Sequence, residues 1–485
     1  MKTTDMKTSF KQLVKQTGWL SVTSCLCSLS LHAQEKKNVL FIFVDDLRTE
    51  LGCYGSPVQT PNIDRLASQS VVFRNAYCNV PVSGASRASL LTGVYPDFER
   101  KRFVDAETYS QNDLPGVTTL PQAFKEQGYH TVSLGKVFHH HDDRTDSWSE
   151  TPWIVSPASG DWATYNKWNV WKKTVEEKDL HPRSHRGPYY ESADLPDSCY
   201  EDNTIARKAI QKLGELKERK EPFFLAVGFR KPHLPFIAPQ KYWDLYEEDS
   251  IAIAGNRYRP SGLPKQVQSS REICQYTQTN DTSSEAFHRK TRHAYYACVS
   301  FVDAQIGLVL DELKRLRLDR NTIVVLLGDN GWHLGEHDFW GKHTLLKEST
   351  HVPLIIKGPG WKHACSQSIV EFVDIYPTLC KACHIPLPSH LQGKSFLPTL
   401  VQPQKKHRPY AYIQWVKGEN LVDGRYSYAE WHNDARQLTG KLLFDHQADP
   451  DENRNAATSE QYEKQTAAFG TQMKKAKEQK QMKST

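Results

Sequence analysis

Residues able to do chemistry together are scattered along this chain, yet each stands at the same kind of place. Asp45-Asp46 follows directly on Asn38–Val44, an unbroken apolar and β-rich run. Gly328-Asp329-Asn330-Gly331 follows directly on Thr322–Leu327, a second such run. Adjacent carboxylates at the end of a buried strand repel each other and cost desolvation unless a cation compensates. Three carboxylates and an amide oxygen make an all-oxygen donor set, which suits Ca²⁺ or Mg²⁺ better than zinc. Read alone, Asp45-Asp46 could be a solvated loop pair. The nucleophile candidate is Ser83, in Val82-Ser83-Gly84-Ala85-Ser86-Arg87-Ala88-Ser89-Leu90-Leu91-Thr92-Gly93. If this run is a helix, its N-terminus holds Ser83 in a partly positive field suited to anions. Without the other residues the segment reads as a serine-rich turn entering a core helix.

Basic residues occupy comparable positions. Gly135-Lys136-Val137-Phe138-His139 follows the run Thr131–Leu134, and Gly228-Phe229-Arg230-Lys231-Pro232-His233 follows Phe223–Val227. Gly341-Lys342-His343 comes after the Asp329 turn. A lone surface Lys or His needs no explanation, and His140 and His141 read as exposed neighbours of His139. Jointly, a cation, several ammonium groups and two proton-transferring imidazoles describe a site for a multiply oxygenated anionic ester.

The elements that must position these groups are legible as strands buried on both faces, Val352–Ile356 among them, alternating with helical patterns. Helices are predicted for Pro121–Gln127, Asn203–Arg219 and about His288–Arg317. The last repeats Tyr296, Val299, Val302, Ile306, Val309 and Leu313 at three- and four-residue steps. The predicted fold class is α/β, a large and mostly parallel sheet sandwiched by helices. Strand ends on one edge of such a sheet are where sites form. From about residue 401 the character changes to short strands, Tyr410–Trp415, Arg425–Ala429 and Leu442–Phe444, joined by polar turns. These predict a smaller antiparallel-sheet subdomain over 401–485, after a catalytic α/β domain over 34–400. Residues 141–200 and 250–285 are predicted long surface loops of the kind that often bind ligands. Ala467–Thr485 is predicted to be a fraying helix or a disordered tail.

The formal charge of +6 invites a nucleic-acid partner, but residues 1–33 and the tail from residue 457 each carry a net +3. The body between them is close to neutral and lacks the clustered basic face that nucleic acid requires. Residues 1–33 read as an export signal. Lys2, Lys7, Lys11 and Lys15 precede a modest apolar stretch, with cleavage expected after Ala33. The stretch is too short and polar to span a membrane, so no integral membrane segment is expected after cleavage. Val22-Thr23-Ser24-Cys25 also resembles a lipoprotein box, which would anchor the chain at Cys25. Cys380-Lys381-Ala382-Cys383 has no second ligand pair nearby and reads as part of a core helix rather than a zinc site.

The chain resembles the formylglycine-dependent sulfatases of the alkaline-phosphatase-like superfamily, most closely the iduronate-2-sulfatase branch. The likeness is densest in 38–48, 51–55, Thr60–Ala67, Gly135–His139, Phe223–Phe236 and Gly331–His337. Ser83-Gly84-Ala85-Ser86-Arg87 fits the signature of Cys or Ser, any residue, Pro or Ala, any residue, then Arg. The resemblance implies that Ser83 is oxidised to formylglycine, whose hydrate is the nucleophile. It implies that Asp45, Asp46, Asp329 and Asn330, together with that residue, hold one Ca²⁺. Arg87 would fix the formylglycine hydroxyl, and Lys136 and Lys342 would bind sulfate oxygens. His233 would protonate the leaving oxygen, and His139 would help remove the proton that releases sulfate. The implied partners are a sulfated carbohydrate, with a 2-O-sulfated uronic acid of glycosaminoglycan first, and a formylglycine-generating maturation enzyme.

Serine at position 83 replaces the cysteine of the animal enzymes. That implies maturation by an anaerobic radical-type enzyme, a bacterial source and export to the periplasm. Ala85 stands for the commoner proline, and Asn330 for a histidine of the animal iduronate enzyme. Other readings of the same residues are a sulfatase for another polysaccharide, a phosphomonoester or phosphonate hydrolase using unmodified Ser83, and a non-catalytic sulfated-glycan binder.

Overall fold

Asn38–Val44 carries no charged side chain, and in the computed structural model it forms β1, buried along its whole length. The structure describes residues 36–155, 180–279 and 281–482. The expected signal peptide, Cys25 and residues 156–179 of the first long loop lie outside them. The further strands are β2 (Val71–Tyr77), β3 (His130–Gly135), β4 (Tyr190–Ala193), β5 (Phe223–Phe229), β6 (Phe236–Pro239) and β7 (Thr322–Gly328). They are followed by β8 (His333–Leu334), β9 (Trp340–Gly341), β10 (Leu354–Lys357) and β11 (Ala364–Glu371).

Seven of these form one sheet in the order β11-β2-β10-β7-β1-β5-β3. All of its pairings are parallel except those of β10, which runs against both β2 and β7. Alternate residues of β1 enter opposite cores, as the pleat requires. Leu40, Ile42 and Val44 face the helices Pro61–Ala67, Glu201–Arg219 and Glu285–Arg315. Val39, Phe41 and Phe43 face Leu120–Glu126, Ile375–Ala382 and the leucines of Ser83–Thr92. The sheet is thus covered on both sides. Cys380 and Cys383 are buried in that second core, as the helical reading predicts.

The C-terminal residues form a four-stranded antiparallel sheet of β12 (Ala411–Trp415), β13 (Gly418–Val422), β14 (Tyr426–His432) and β15 (Leu438–Asp445). The described residues from Asn38 onward form one compact unit. Two expectations are corrected. The region 141–200 is not wholly loop, because β4 pairs in parallel with β6. Of the two readings of the tail the helix holds, over Glu463–Met482, but with one face packed rather than fraying. Its Thr466, Phe469, Met473, Ala476 and Lys480 are all buried, at alternating three- and four-residue steps that put them on one face. Phe469, Met473 and Ala476 pack with Tyr412, Leu421, Tyr428 and Leu443 of the small sheet. The stripe escaped notice because only two of its members are large and apolar. Met473→Ala is expected to cost about 2–5 kcal/mol, read as a lower midpoint in denaturant unfolding; an unchanged midpoint would contradict this packing.

Candidate functional site

Parallel register brings the chemical residues together. Val44 aligns with Gly328 on one side and Phe229 on the other, and Gly135 aligns with Gly228. The chain therefore leaves β1, β7, β5 and β3 at one level, carrying Asp45-Asp46, Asp329-Asn330, His233 and Lys136 to one edge. Close approach at this edge depends on Gly228, where a Cβ would stand 1.8 Å from the Lys136 carbonyl oxygen. Asp46 takes φ 58°, a left-handed conformation costly for a residue with a Cβ. It is held there by its own N–H donating to Asp329 Oδ1 at 2.9 Å, and by the Tyr295 hydroxyl donating to its carbonyl at 2.8 Å.

Ser83 is the first residue of the helix Ser83–Thr92, which ends at Gly93 with φ 68°. Its side chain is 1% exposed, and its hydroxyl lies 3.1 Å from Asp45 Oδ1 and 3.2 Å from Asn330 Oδ1. One turn on, the fully buried Arg87 shares the helix face. Its Nε donates to Asp329 Oδ2 at 2.7 Å, Nη2 to Asp45 Oδ1 at 3.3 Å, and Nη1 to the carbonyls of Lys136 and Val137. Lys136 Nζ meets Asp45 Oδ2 at 2.5 Å, and Lys342 Nζ meets Asp46 Oδ1 at 2.6 Å. Asn330 Nδ2 donates to Asp46 Oδ1 at 2.7 Å.

His233 Nδ1 lies 2.7 Å from the Leu234 carbonyl, which can only accept, so Nδ1 carries a proton. Nε2 then faces Asp46 Oδ2 at 3.6 Å and Glu272 Oε1 at 3.7 Å. His139 stands further out, edge-on to His140 at 4.9 Å. Its electrostatic neighbours Lys136, Asp45 and Arg87 put it on the same rim. His140 is not the exposed neighbour expected: its ring stacks on Tyr109 at 3.9 Å, while His141 is exposed.

Glu272 is the site residue that sequence reasoning missed. It comes from the loop 250–285, and its Oε2 lies 3.9 Å from Lys342 Nζ. A lone glutamate after no strand and in no motif carries no signal of this kind.

Burial dominates the electrostatics. It opposes ionisation of Asp45, but Lys136, His233, Arg87 and Lys342 overcome it and hold Asp45 well below the usual carboxylate range. Asp46 is pushed up to about 7 by burial, against Lys342, with Asp45, Asp329 and Glu272 adding to the rise. Burial also raises Asp329 against Arg87. Burial lowers His233, with Glu272 opposing. One carboxylate oxygen from each of Asp45, Asp46 and Asp329 lies within 4.8 Å of the other two, and buried Asp46 Oδ2 has no hydrogen-bond partner. A crowded, desolvated set of hard oxygens with one unsatisfied member fits a divalent cation. Ammonium groups beside it can hold a tetrahedral anion, with an imidazole nitrogen within reach of its ester oxygen.

The profile described as Sulfatase matches residues 37–385 of the chain. The chain belongs to the sulfatase family. A second profile, described as N-sulphoglucosamine sulphohydrolase, C-terminal, matches residues 335–479 of this sulfatase. It is 36% identical over 406 residues to iduronate 2-sulfatase of Mus musculus, covering 75% of this chain and 72% of that protein. It is 29% identical over 474 residues to the Delta 4,5-hexuronate-2-O-sulfatase of Bacteroides thetaiotaomicron, covering 90% and 88%. A solved 2-O GAG sulfatase superposes with a TM-score of 0.70 at 25% identity, covering 92% of this chain and 93% of that one. The sulfatase is therefore a sulfuric ester hydrolase, with the α/β architecture of its solved relatives.

Proposed function

We propose that this sulfatase is an exported enzyme that removes the 2-O-sulfate of a uronic acid in glycosaminoglycan fragments. Ser83 would be converted to formylglycine, and one Ca²⁺ would be held by Asp45, Asp46, Asp329, Asn330 and the converted residue. The observation that carries the chemistry is Ser83 Oγ set between Asp45 and Asn330 at a helix N-terminus, with Lys136 and Lys342 on neighbouring carboxylates. The substrate is supported by the 2-O-specific names of the relatives above. Export rests on residues 1–33; among the described residues no helix is long and apolar enough to cross a membrane.

A formylglycine hydrate supplies a geminal diol that can release sulfate by reforming its carbonyl, which a serine sulfate cannot do. A hard cation at the carboxylates supplies charge neutralisation for an incoming sulfate. The chain's own residues do the rest. Lys136 and Lys342 would trade part of their hold on Asp45 and Asp46 for sulfate oxygens, matching charge in a site that excludes water. Arg87 ties Asp45 to Asp329 and fixes the helix turn that presents residue 83. His233 holds a proton on Nε2 for the bridging oxygen, and the sulfate's negative charge beside the ring favours its protonated form. His139, beside Lys136, would take up the proton that must leave before sulfate is expelled.

Mass spectrometry of the tryptic peptide Asn75–Arg87 tests the central assignment. Active protein from a host with the maturation machinery is expected to have lost two hydrogens at Ser83. Intact serine in fully active protein would overturn it. For His233→Ala, the rate loss is expected to reach ~10²–10⁴-fold on alkyl sulfates and to shrink on aryl sulfates with good leaving groups. Equal losses on both would remove the proton-donor role.

A further inference from the structure

The side chains around the site become more exposed along one path. Arg87 is 0% exposed, Lys136 2%, Lys342 5%, His233 11%, Glu272 17% and Arg186 25%. The path leads from the Ser83 helix, past the proton donor, to Arg186 at the mouth. Glu272 Oε1 links its last two steps, 3.7 Å from His233 Nε2 and 3.5 Å from Arg186 Nη1.

Arg186 is held at that point by two loops zipped together. Thr277 N–H donates to the Gly187 carbonyl at 3.0 Å, Tyr189 N–H to the Thr277 carbonyl at 3.3 Å, and the Ser184 hydroxyl to the Gln275 carbonyl. The guanidinium lies over the Tyr276 ring, 5.1 Å from its centre, so its plane is set before any ligand arrives. The one ion pair of this side chain among the described residues is with Glu272. That carboxylate also lies 3.7 Å from His233 Nε2 and 3.9 Å from Lys342 Nζ, so it is shared and Arg186 is not its sole partner.

We propose that Arg186 is the specificity-determining residue that selects a carboxylate-bearing sugar. The inference rests on the 2-O-sulfated uronate reading above and names the group that would enforce it. The proton donor must stand at the ester oxygen, so the ring bearing that oxygen lies beside His233. Two short contacts separate His233 from Arg186, within the reach of one sugar ring from its ester oxygen to its carboxylate. A planar, pre-set guanidinium can take that carboxylate through two parallel hydrogen bonds, which a neutral sugar cannot offer.

The test compares kcat/KM on a 2-O-sulfated unsaturated uronate disaccharide, its carboxyl-reduced analogue and an aryl sulfate. Wild-type protein is expected to prefer the uronate to its reduced analogue. Arg186→Ala is expected to lose about 10- to 100-fold on the uronate substrate and to lose the preference with it. The reduced analogue, the aryl sulfate and the unfolding midpoint should stay within about twofold, and Arg186→Lys should restore part of the loss. An equal loss on all three substrates, or none on the uronate, overturns the proposal while the sulfatase reading stands. Ser83-dependent aryl sulfate turnover with no action on either disaccharide overturns the uronate reading and this proposal together.

Discussion

Replacing Ser83 by alanine is expected to reduce turnover by at least ~10⁴-fold while the protein keeps its fold. The two halves of that expectation have different physical sources. Turnover goes because no other hydroxyl or thiol of the described residues sits between Asp45 and Asn330; Ser86, on the same helix, donates to the Asp329 carbonyl instead. The fold stays because the Ser83 hydroxyl is a minor partner to both its neighbours. Asp45 keeps Lys136 and Arg87, and Asn330 keeps Asp46 and the Gly331 carbonyl. The cost is that of one buried hydrogen bond, about 1 kcal/mol. Arg87→Met is the instructive contrast. It strips charge compensation from Asp45 and Asp329 and should cost about 3–5 kcal/mol, so it would confuse inactivity with unfolding. The measurements are aryl sulfate hydrolysis and thermal unfolding of the same preparation; normal turnover by the alanine variant would refute the assignment.

Chelation should produce the second large effect. Stripping the protein of divalent cations is expected to lower both kcat and the unfolding midpoint, and added Ca²⁺ should restore both. The reason is the carboxylate trio, which brings one oxygen from each residue within 4.8 Å of the others. A ligand that binds only the folded state stabilises it by about 2.7 kcal/mol at one hundred times its Kd, and the midpoint falls when that is withdrawn. Asp46→Asn should blunt the response, because it converts the unsatisfied carboxylate oxygen into part of a neutral amide. Metal analysis before and after chelation provides the control. Identical rates and midpoints in metal-free and calcium-loaded protein would remove the cation from the account.

The carboxyl edge of the sheet could be read from sequence because a strand buried on both faces has no polar interruption, as in Asn38–Val44 and Thr322–Leu327. A charged residue directly after such a run then has one place to go. Strands that break this rule leave no such signal. Arg74 and Asn75 interrupt β2 where it is only partly buried, and β11 carries Ser366-Gln367-Ser368 through a register shift. β13 begins with Gly418, Glu419 and Asn420, which look like a turn. The site divided along the same line. Residues at strand ends or within the serine–arginine signature were legible, whereas Glu272 and Arg186 are brought in by loop-to-loop hydrogen bonds that leave no periodic trace. The reading of His140 as exposed failed for a related reason: its stacking partner Tyr109 is distant in sequence and belongs to no regular element.

The burial of Ser83 also sets a schedule. At 1% exposure, with Gly84 so close to the Ala106 carbonyl oxygen that a Cβ there would stand 2.2 Å from it, the folded protein offers no approach for another protein's catalytic centre. An enzyme that chemically alters this side chain must reach it on a chain still extended. If Ser83 is converted as proposed, folding and conversion compete for the same molecules, and a chain that folds first keeps the encoded serine. On that proposal the specific activity of a preparation would record the outcome of the race, and would fall below one working centre per chain even when every molecule is correctly folded.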